Sequence, residues 1–307
     1  MKNHYYVIVF GGCYLDINAA HLPFGSEGVS VEKEIRGTEY ECLPGGSGVN
    51  FLRALQRLKR RGLFIGMRGD DPVGVLVEQL CAKEGLAVHL IAAPGKRTNL
   101  GLNMIGSDGS HIIYSIGSAN QALTERVLTP EITPYLDART FLYMGTLYKL
   151  DGLAADFQTL IETAHTKGAQ VVVDHGRITP GVSEERFEKV RQAVLTADYY
   201  LPSRVEFLET WRVGSIGDGL ALLAQKAPHL VVVVKDGARG AHYFEAGRTV
   251  TIAAPVVSSA HNLTGAGDTF NAGFLDAIIA GEPPHAAIDA ACVVAANHVA
   301  LQPKNEQ

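Results

Sequence analysis

Pro255 to Ala280 reads PVVSSAHNLTGAGDTFNAGFLDAIIA, and the interpretation of the whole chain turns on its centre, Gly265-Ala266-Gly267-Asp268. Small residues come first. An apolar pattern follows in Phe270, Phe274, Leu275, Ile278 and Ile279, and its spacing places these near one helix face. Thr264 is the expected N-cap and Gly281 the expected stop. Gly265, Ala266 and Gly267 then form the first turn, where backbone N–H groups lack partners inside the helix. With no bulky side chains, those groups can approach an anion closely, and the helix dipole adds partial positive charge. Asp268 beside such a hole needs a reason. One is that it accepts a proton from a hydroxyl while the N–H groups hold the growing charge of a phosphoryl group. The other is a tight strand-to-helix turn with Asp as a first-turn charge.

Working outward, 307 residues suit one large α/β domain or two small ones, at about 150 residues per domain. The hydrophobic fraction of 47% allows a substantial core. A net charge of -5 with no basic run argues against nucleic acid as a partner. Tyr5 to Phe10 is apolar but far too short to span a bilayer, carries no signal-peptide cleavage pattern, and no later run reaches membrane length. Cys13, Cys42, Cys81 and Cys292 form no CxxC pair and read as reduced thiols of a cytoplasmic protein. His175 and His261 have no partners at zinc-like spacing.

Along the chain, Tyr5 to Phe10 is the first strand, closed by Gly11-Gly12; without a third glycine this is no dinucleotide fingerprint. Between Asp16 and Tyr40 no helical period appears; Val29, Val31 and Ile35 suggest strands, and Pro23, Gly25 and Gly28 suggest turns. Leu43-Pro44-Gly45-Gly46-Ser47-Gly48-Val49-Asn50 is a second glycine-rich turn opening a helix, with Leu52, Leu55 and Leu58 as its apolar face. Arg57, Lys59, Arg60 and Arg61 read as the solvated end of that helix, stopped by Gly62. Thr98 to Ile105 and His111 to Ile116 alternate around Ser107-Asp108-Gly109 as a hairpin. From Thr140 onward strands and helices alternate, with His229 to Val234 continuously apolar. The expected fold is α/β: a doubly wound, mostly parallel sheet with helices on both faces. In such sheets ligands lie beyond the carboxyl ends of the strands. Asp16, Gly45-Gly46, Asp174, Lys235-Asp236-Gly237 and Gly265 to Asp268 can converge there.

These residues together resemble the ribokinase-like (phosphofructokinase-B type) carbohydrate kinase family over nearly the whole chain. Gly45-Gly46-Ser47-Gly48-Val49-Asn50 is similar to its first signature and Thr264-Gly265-Ala266-Gly267-Asp268-Thr269-Phe270 to its second. Gly69-Asp70-Asp71-Pro72-Val73-Gly74 matches a common turn, and Lys235-Asp236-Gly237-Ala238-Arg239-Gly240-Ala241 stands where the family has a glycine turn beside the nucleotide. The resemblance implies a single domain over 1–307 with a small β lid from about 14–40 and 97–118, pairing with a second chain. It implies ATP-dependent phosphorylation of a sugar hydroxyl, with Asp268 as base and the N–H groups of Gly265, Ala266 and Gly267 as anion hole. Asp16, Gly45, Gly46 and Asn50 would contact the sugar. Ser203, Glu206, Lys235, Gly237, Gly240 and Asn297 would face ATP, with Glu206 holding magnesium through water. Asp174 and Arg177, in VVVDHGR after a strand, could face the substrate or form a strand-end ion pair.

There are departures. The family's Asn-x-x-Glu is Ser203-Arg204-Val205-Glu206 here, and its Thr before the glycine turn is Lys235, which could reach phosphates or point to solvent. Members activated by a monovalent cation have Asp where this chain has Asn262, so potassium activation is not assumed. A nucleoside kinase with Phe24 and Tyr114 against the base, or a binding protein that has lost turnover, remain alternatives. A sugar phosphate would need a cationic anchor, for which Lys96, Arg97, Lys149 and Arg177 are candidates.

Overall fold

Every residue of Val7-Ile8-Val9-Phe10, strand β1, is buried in the computed structural model, which describes residues 4–22, 37, 39–106, 111–153, 157–245, 247–259 and 263–301. Successive strand side chains point to opposite faces. Val7 and Val9 therefore enter one core, while Ile8 and Phe10 enter the other. The split recurs at Phe141 and Tyr143 against Leu142 and Met144, and at Val233 against Val232 and Val234. A strand apolar at every position requires cover on both faces, as the parallel reading expects.

β2 (Tyr14–Leu22) and β3 (Tyr40–Gly45) follow β1, then α1 (Ser47–Arg57), β4 (Gly62–Gly69), α2 (Pro72–Lys83) and β5 (Val88–Ala93). β6 (Leu100–Gly106) and β7 (His111–Ile116) precede α3 (Glu125–Ile132), β8 (Phe141–Gly145), α4 (Phe157–Thr166), β9 (Gln170–Asp174), α5 (Glu184–Thr196) and β10 (Tyr199–Tyr200). Then come α6 (Arg204–Trp211), α7 (Ile216–Lys226), β11 (Val231–Lys235), β12 (Ala241–Glu245), β13 (Arg248–Ile252), α8 (Ala266–Ile279) and α9 (Pro284–Ala300).

The nine-stranded main sheet has the order β13-β12-β11-β10-β9-β8-β1-β4-β5. It is parallel from β11 to β5, and β12 and β13 close one edge antiparallel. α1, α2, α8 and α9 cover one face and α3 to α7 the other. A separate four-stranded sheet has the order β3-β2-β6-β7, with β2 and β6 parallel across 85 positions of sequence between Asn18 and Asn103.

Several boundaries differ from the sequence reading. β3 runs to Gly45, past the expected lid limit at Tyr40, because it feeds directly into α1 through Gly46 at φ 95°. α8 is capped by Gly265 at φ 74°, not by Thr264; the left-handed region favours glycine. α1 stops at Arg57, and Gly62 opens β4. The basic cluster is not simply solvated: Arg60 Nε donates to Asp276 Oδ1 on α8 at 2.7 Å and its guanidinium covers Tyr6, while Arg61 covers Tyr5. α3, with Pro130 inside it, occupies a stretch the reading left unassigned. The strands suggested by Val29, Val31 and Ile35, the turns at Pro23, Gly25 and Gly28, the Ser107-Asp108-Gly109 turn, Phe24, His261 and Asn262 lie outside the described residues.

Candidate active site

Five parallel strands of the main sheet deliver chain to one edge: β1 to Gly11, β8 to Thr146, β9 to Asp174, β10 to Leu201 and β11 to Lys235. The turns there are tied together. Gly12 N–H donates to Thr146 Oγ1 at 3.1 Å, Thr146 N–H to the Asp174 carbonyl at 3.1 Å, and Lys235 N–H to the Pro202 carbonyl at 2.9 Å. Thr146 adopts φ 56°, which brings its hydroxyl to Gly12.

Asp16 on β2 sits between two neighbouring strands of the small sheet. A Cβ on Gly45 would lie 1.9 Å from Asp16 Oδ2, and one on Gly101 would lie 2.2 Å from Oδ1. Both glycines therefore make room for the carboxylate, and Gly101 went unnoticed because no local pattern links it to residue 16. Burial pushes the Asp16 carboxyl up to about 6, opposed by the Arg53 charge, the Gly46 N–H and Lys149.

α1 carries Ser47, Asn50 and Arg53. Arg53 was also missed, though its i, i+3 spacing from Asn50 was readable. Its guanidinium donates to Asn50 Oδ1 at 2.8 Å, to the Pro44 carbonyl at 2.6 Å and to Glu84 Oε2 at 2.5 Å. Asn50 is thereby held facing α8, 3.8 Å from where a Gly265 Cβ would be. Ser47 Oγ donates to Asp268 Oδ1 at 2.5 Å.

The first turn of α8 presents Gly267 exposed and Asp268 half-buried. Ala266 N–H is directed at the Leu263 carbonyl at 3.3 Å, whereas the Gly267 and Asp268 N–H groups meet no acceptor among the described residues. Burial pushes the Asp268 carboxyl up to about 6; the Ser47 hydroxyl pulls it down, Asp174 pushes it up and Lys235 pulls it down.

Lys235 does not point to solvent. Its Nζ donates to Asp174 Oδ2 at 2.8 Å and to Asn271 Oδ1 at 3.0 Å. Burial opposes the charge on Asp174, yet Lys235 holds its carboxyl below the usual range. So Asp174 does form an ion pair, but with Lys235 and not with Arg177, which is exposed and has no ion pair among the described residues. His175 is fully buried, bonded to Tyr200 Oη at 2.6 Å and to Thr210 Oγ1 at 3.1 Å. Lys149 lies on the turn after β8; burial and the Arg177 charge lower its pKa, with Asp16 and Glu206 opposing. Lys96 and Arg97 are exposed beside Gly69.

Glu206 Oε2 accepts from Ser203 N–H at 2.8 Å, a capping box at the start of α6. The Ser-x-x-Glu spacing signals it in the sequence. Among the described residues no three His, Cys, Asp or Glu side chains gather as a metal cage. Gly237 opens onto free space, but Gly240 is pressed against the chain: a Cβ there would lie 1.9 Å from the Ile252 carbonyl oxygen. Asn297 is exposed on α9, and its neighbour His298 bonds the Thr264 carbonyl at 2.8 Å through Nε2. The structure thus brings Asn50, Gly265, Gly267, Asp268, Lys235 and Asp174 together, with Asp16 and Lys149 toward β1 and Ser203 and Glu206 toward β11.

The pfkB family carbohydrate kinase model matches residues 6–301. The chain belongs to this family. As a pfkB carbohydrate kinase it is an enzyme, and its fold is the ribokinase-like fold that the signatures imply. The ribokinase of Arabidopsis thaliana is 26% identical over 90% of this chain and 71% of its own length. Fructokinase-2 of Solanum habrochaites is 26% identical over 77% of this chain and 73% of that protein. The structure of Arabidopsis thaliana ribokinase complexed with ribose and ATP superposes with a TM-score of 0.74 at 20% identity, covering 98% of this chain and 94% of that one. No helix among the described residues is long and apolar enough to cross a membrane.

Proposed function

We propose that this pfkB carbohydrate kinase transfers the γ-phosphoryl group of ATP to a hydroxyl of a sugar or sugar-like substrate. The observation that carries the reading is the meeting of Ser47 on α1 and Lys235 at the end of β11 with Asp268 and Gly267 in the first turn of α8. Asp16 and Asn50 bond sugar hydroxyls, which rejects analogues lacking them. Asp268 takes the proton of the attacking hydroxyl as its oxygen bonds to the γ-phosphorus and the bond to ADP breaks. The N–H groups of Gly265 and Gly267 hold the developing charge; that of Ala266 contributes once it leaves the Leu263 carbonyl. Ser203, Gly237, Gly240 and Asn297 lie on the nucleotide side. Magnesium bound with the nucleotide would supply charge neutralisation for the phosphates. Glu206, whose Oε1 meets no described residue, would hold it through water.

A panel of ribose, fructose and other sugars with MgATP tests this. Phosphorylation of at least one is expected; binding without any turnover would favour a sugar-binding protein. A second reading, that the substrate carries an anionic group, is favoured by Lys149 and Arg177 between the sugar and nucleotide ends. It expects Lys149→Met to raise KM for a sugar phosphate while sparing the neutral sugar.

A further inference from the structure

Lys235 has a geometry that its place on the nucleotide side does not use up. Its side chain is 11% exposed and that of its partner Asp174 is 7% exposed. An ammonium carries three N–H donors. Two go to Asp174 Oδ2 and Asn271 Oδ1. The third has no acceptor among the described residues. Gly267 lies beside the ammonium, where a Cβ would be 3.7 Å from Nζ.

The support beneath is rigid. Asn271 Nδ2 donates to Asp174 Oδ2 at 2.5 Å and to Tyr143 Oη at 2.8 Å, and the Tyr143 ring stacks on Phe51 with centroids 4.0 Å apart. β11 is fixed at its end by a parallel bridge between Lys235 and Ser203. The lysine is therefore not a free four-carbon arm. A buried ion pair is a poor way to stabilise a fold, because desolvating both charges offsets their attraction. Placed beside a glycine-lined helix N-terminus, the same pair supplies a cation whose position is set before any anion arrives.

We infer that Lys235 is a fixed cation of the anion hole: its third N–H bonds an oxygen of the phosphoryl group in transit, and Asp174 and Asn271 are positioning residues that aim it. This rests on the kinase reading above.

Lys235→Met alone leaves Asp174 buried without its partner and risks misfolding. The double variant Asp174→Asn/Lys235→Met removes both charges at similar volume. It is expected to melt near the parent and to be stabilised equally by MgADP. Aluminium fluoride, a mimic of the transferring group, should raise the parent's melting temperature further in the presence of MgADP. That extra shift should vanish in the double variant and persist in part in Lys235→Arg. Turnover should fall by roughly 10²–10³-fold, the loss expected for one preorganised donor, with KM for the sugar unchanged. Retention of the aluminium fluoride shift by the double variant, its absence from the parent, or near-parental turnover of the double variant overturns the inference. Failure of the kinase reading shows elsewhere, in the parent's sugar panel.

Discussion

Asp268 sits where two effects oppose. The start of α8 favours a carboxylate through its dipole, but burial prevails and lifts the group to about 6. A base must be ionised, so turnover should rise with pH through about 6 and level off above it. Ser47, Asn50, Asp174 and Lys235 are the groups that set this midpoint. Asp268→Asn keeps shape and loses the proton acceptor, so turnover should drop by about 10²–10⁴-fold with MgATP still bound. Stability gives an independent sign. A carboxyl raised above its unfolded value contributes stability that is present at low pH and lost as pH passes the folded value. Asp268→Asn should therefore melt higher than the parent at pH 8, and the difference should close near pH 4. If Asp268 only capped the helix, turnover would stay at the parental level. Gly101 makes a second residue-scale case. Gly101→Ala drives a methyl into the Asp16 carboxylate, so kcat/KM for the sugar should fall by about 10²-fold with KM for ATP unchanged. An unaltered sugar KM would remove Asp16 from the sugar site.

At the scale of elements, Glu206 has one duty at the start of α6 and is proposed to have a second. One oxygen caps the helix through Ser203 N–H, and the other, which meets no described residue, is the one proposed to hold a magnesium-bound water. Glu206→Gln keeps an acceptor for the cap, so melting should move little, by the tenths of a kcal/mol typical of such ends. The magnesium titration of turnover should shift to higher concentration; overlaying curves would rule out the assignment. The sequence reading saw Ser203 here as a lapse from Asn-x-x-Glu and overlooked that Ser-x-x-Glu is itself a capping box. The runs Val171 to Val173 and Val231 to Val234 made the parallel strands legible, because burial on both faces leaves an unbroken apolar record. β2 left no such record, since its partners are β3 and β6, one of them distant in sequence. The signatures revealed Asn50, Gly265 and Asp268 as neighbours. The Lys235–Asp174–Asn271 contacts could not be read, because they join the ends of β11 and β9 to the second turn of α8 across 36 to 97 positions.

At the scale of the whole molecule, the small sheet has an uncovered apolar surface. On the face opposite Asp16, Tyr40 is 76% exposed and Tyr114 and Ile116 are each 52% exposed. We expect a second copy of the chain to cover it, giving a dimer at micromolar concentration by light scattering. Replacing Tyr114 and Ile116, which share that face, with Lys should yield a monomer. A parent that scatters as a monomer would discard the dimer. The wedging of Asp16 between Gly45 and Gly101 then has a thermodynamic consequence. Asp16, the carboxylate proposed to bind the sugar, is carried by the small sheet, whereas Asp268 belongs to α8, which covers the main one. A tilt of the small sheet would change the distance between them, and the fraction of molecules competent to bind would fall accordingly. Apparent affinity is the intrinsic value reduced by that fraction. Whatever favours the closed arrangement, including pairing through the same sheet, must tighten sugar binding by the same factor by which sugar tightens pairing. The Michaelis constant for sugar should accordingly fall as enzyme concentration rises through the dimer's dissociation constant.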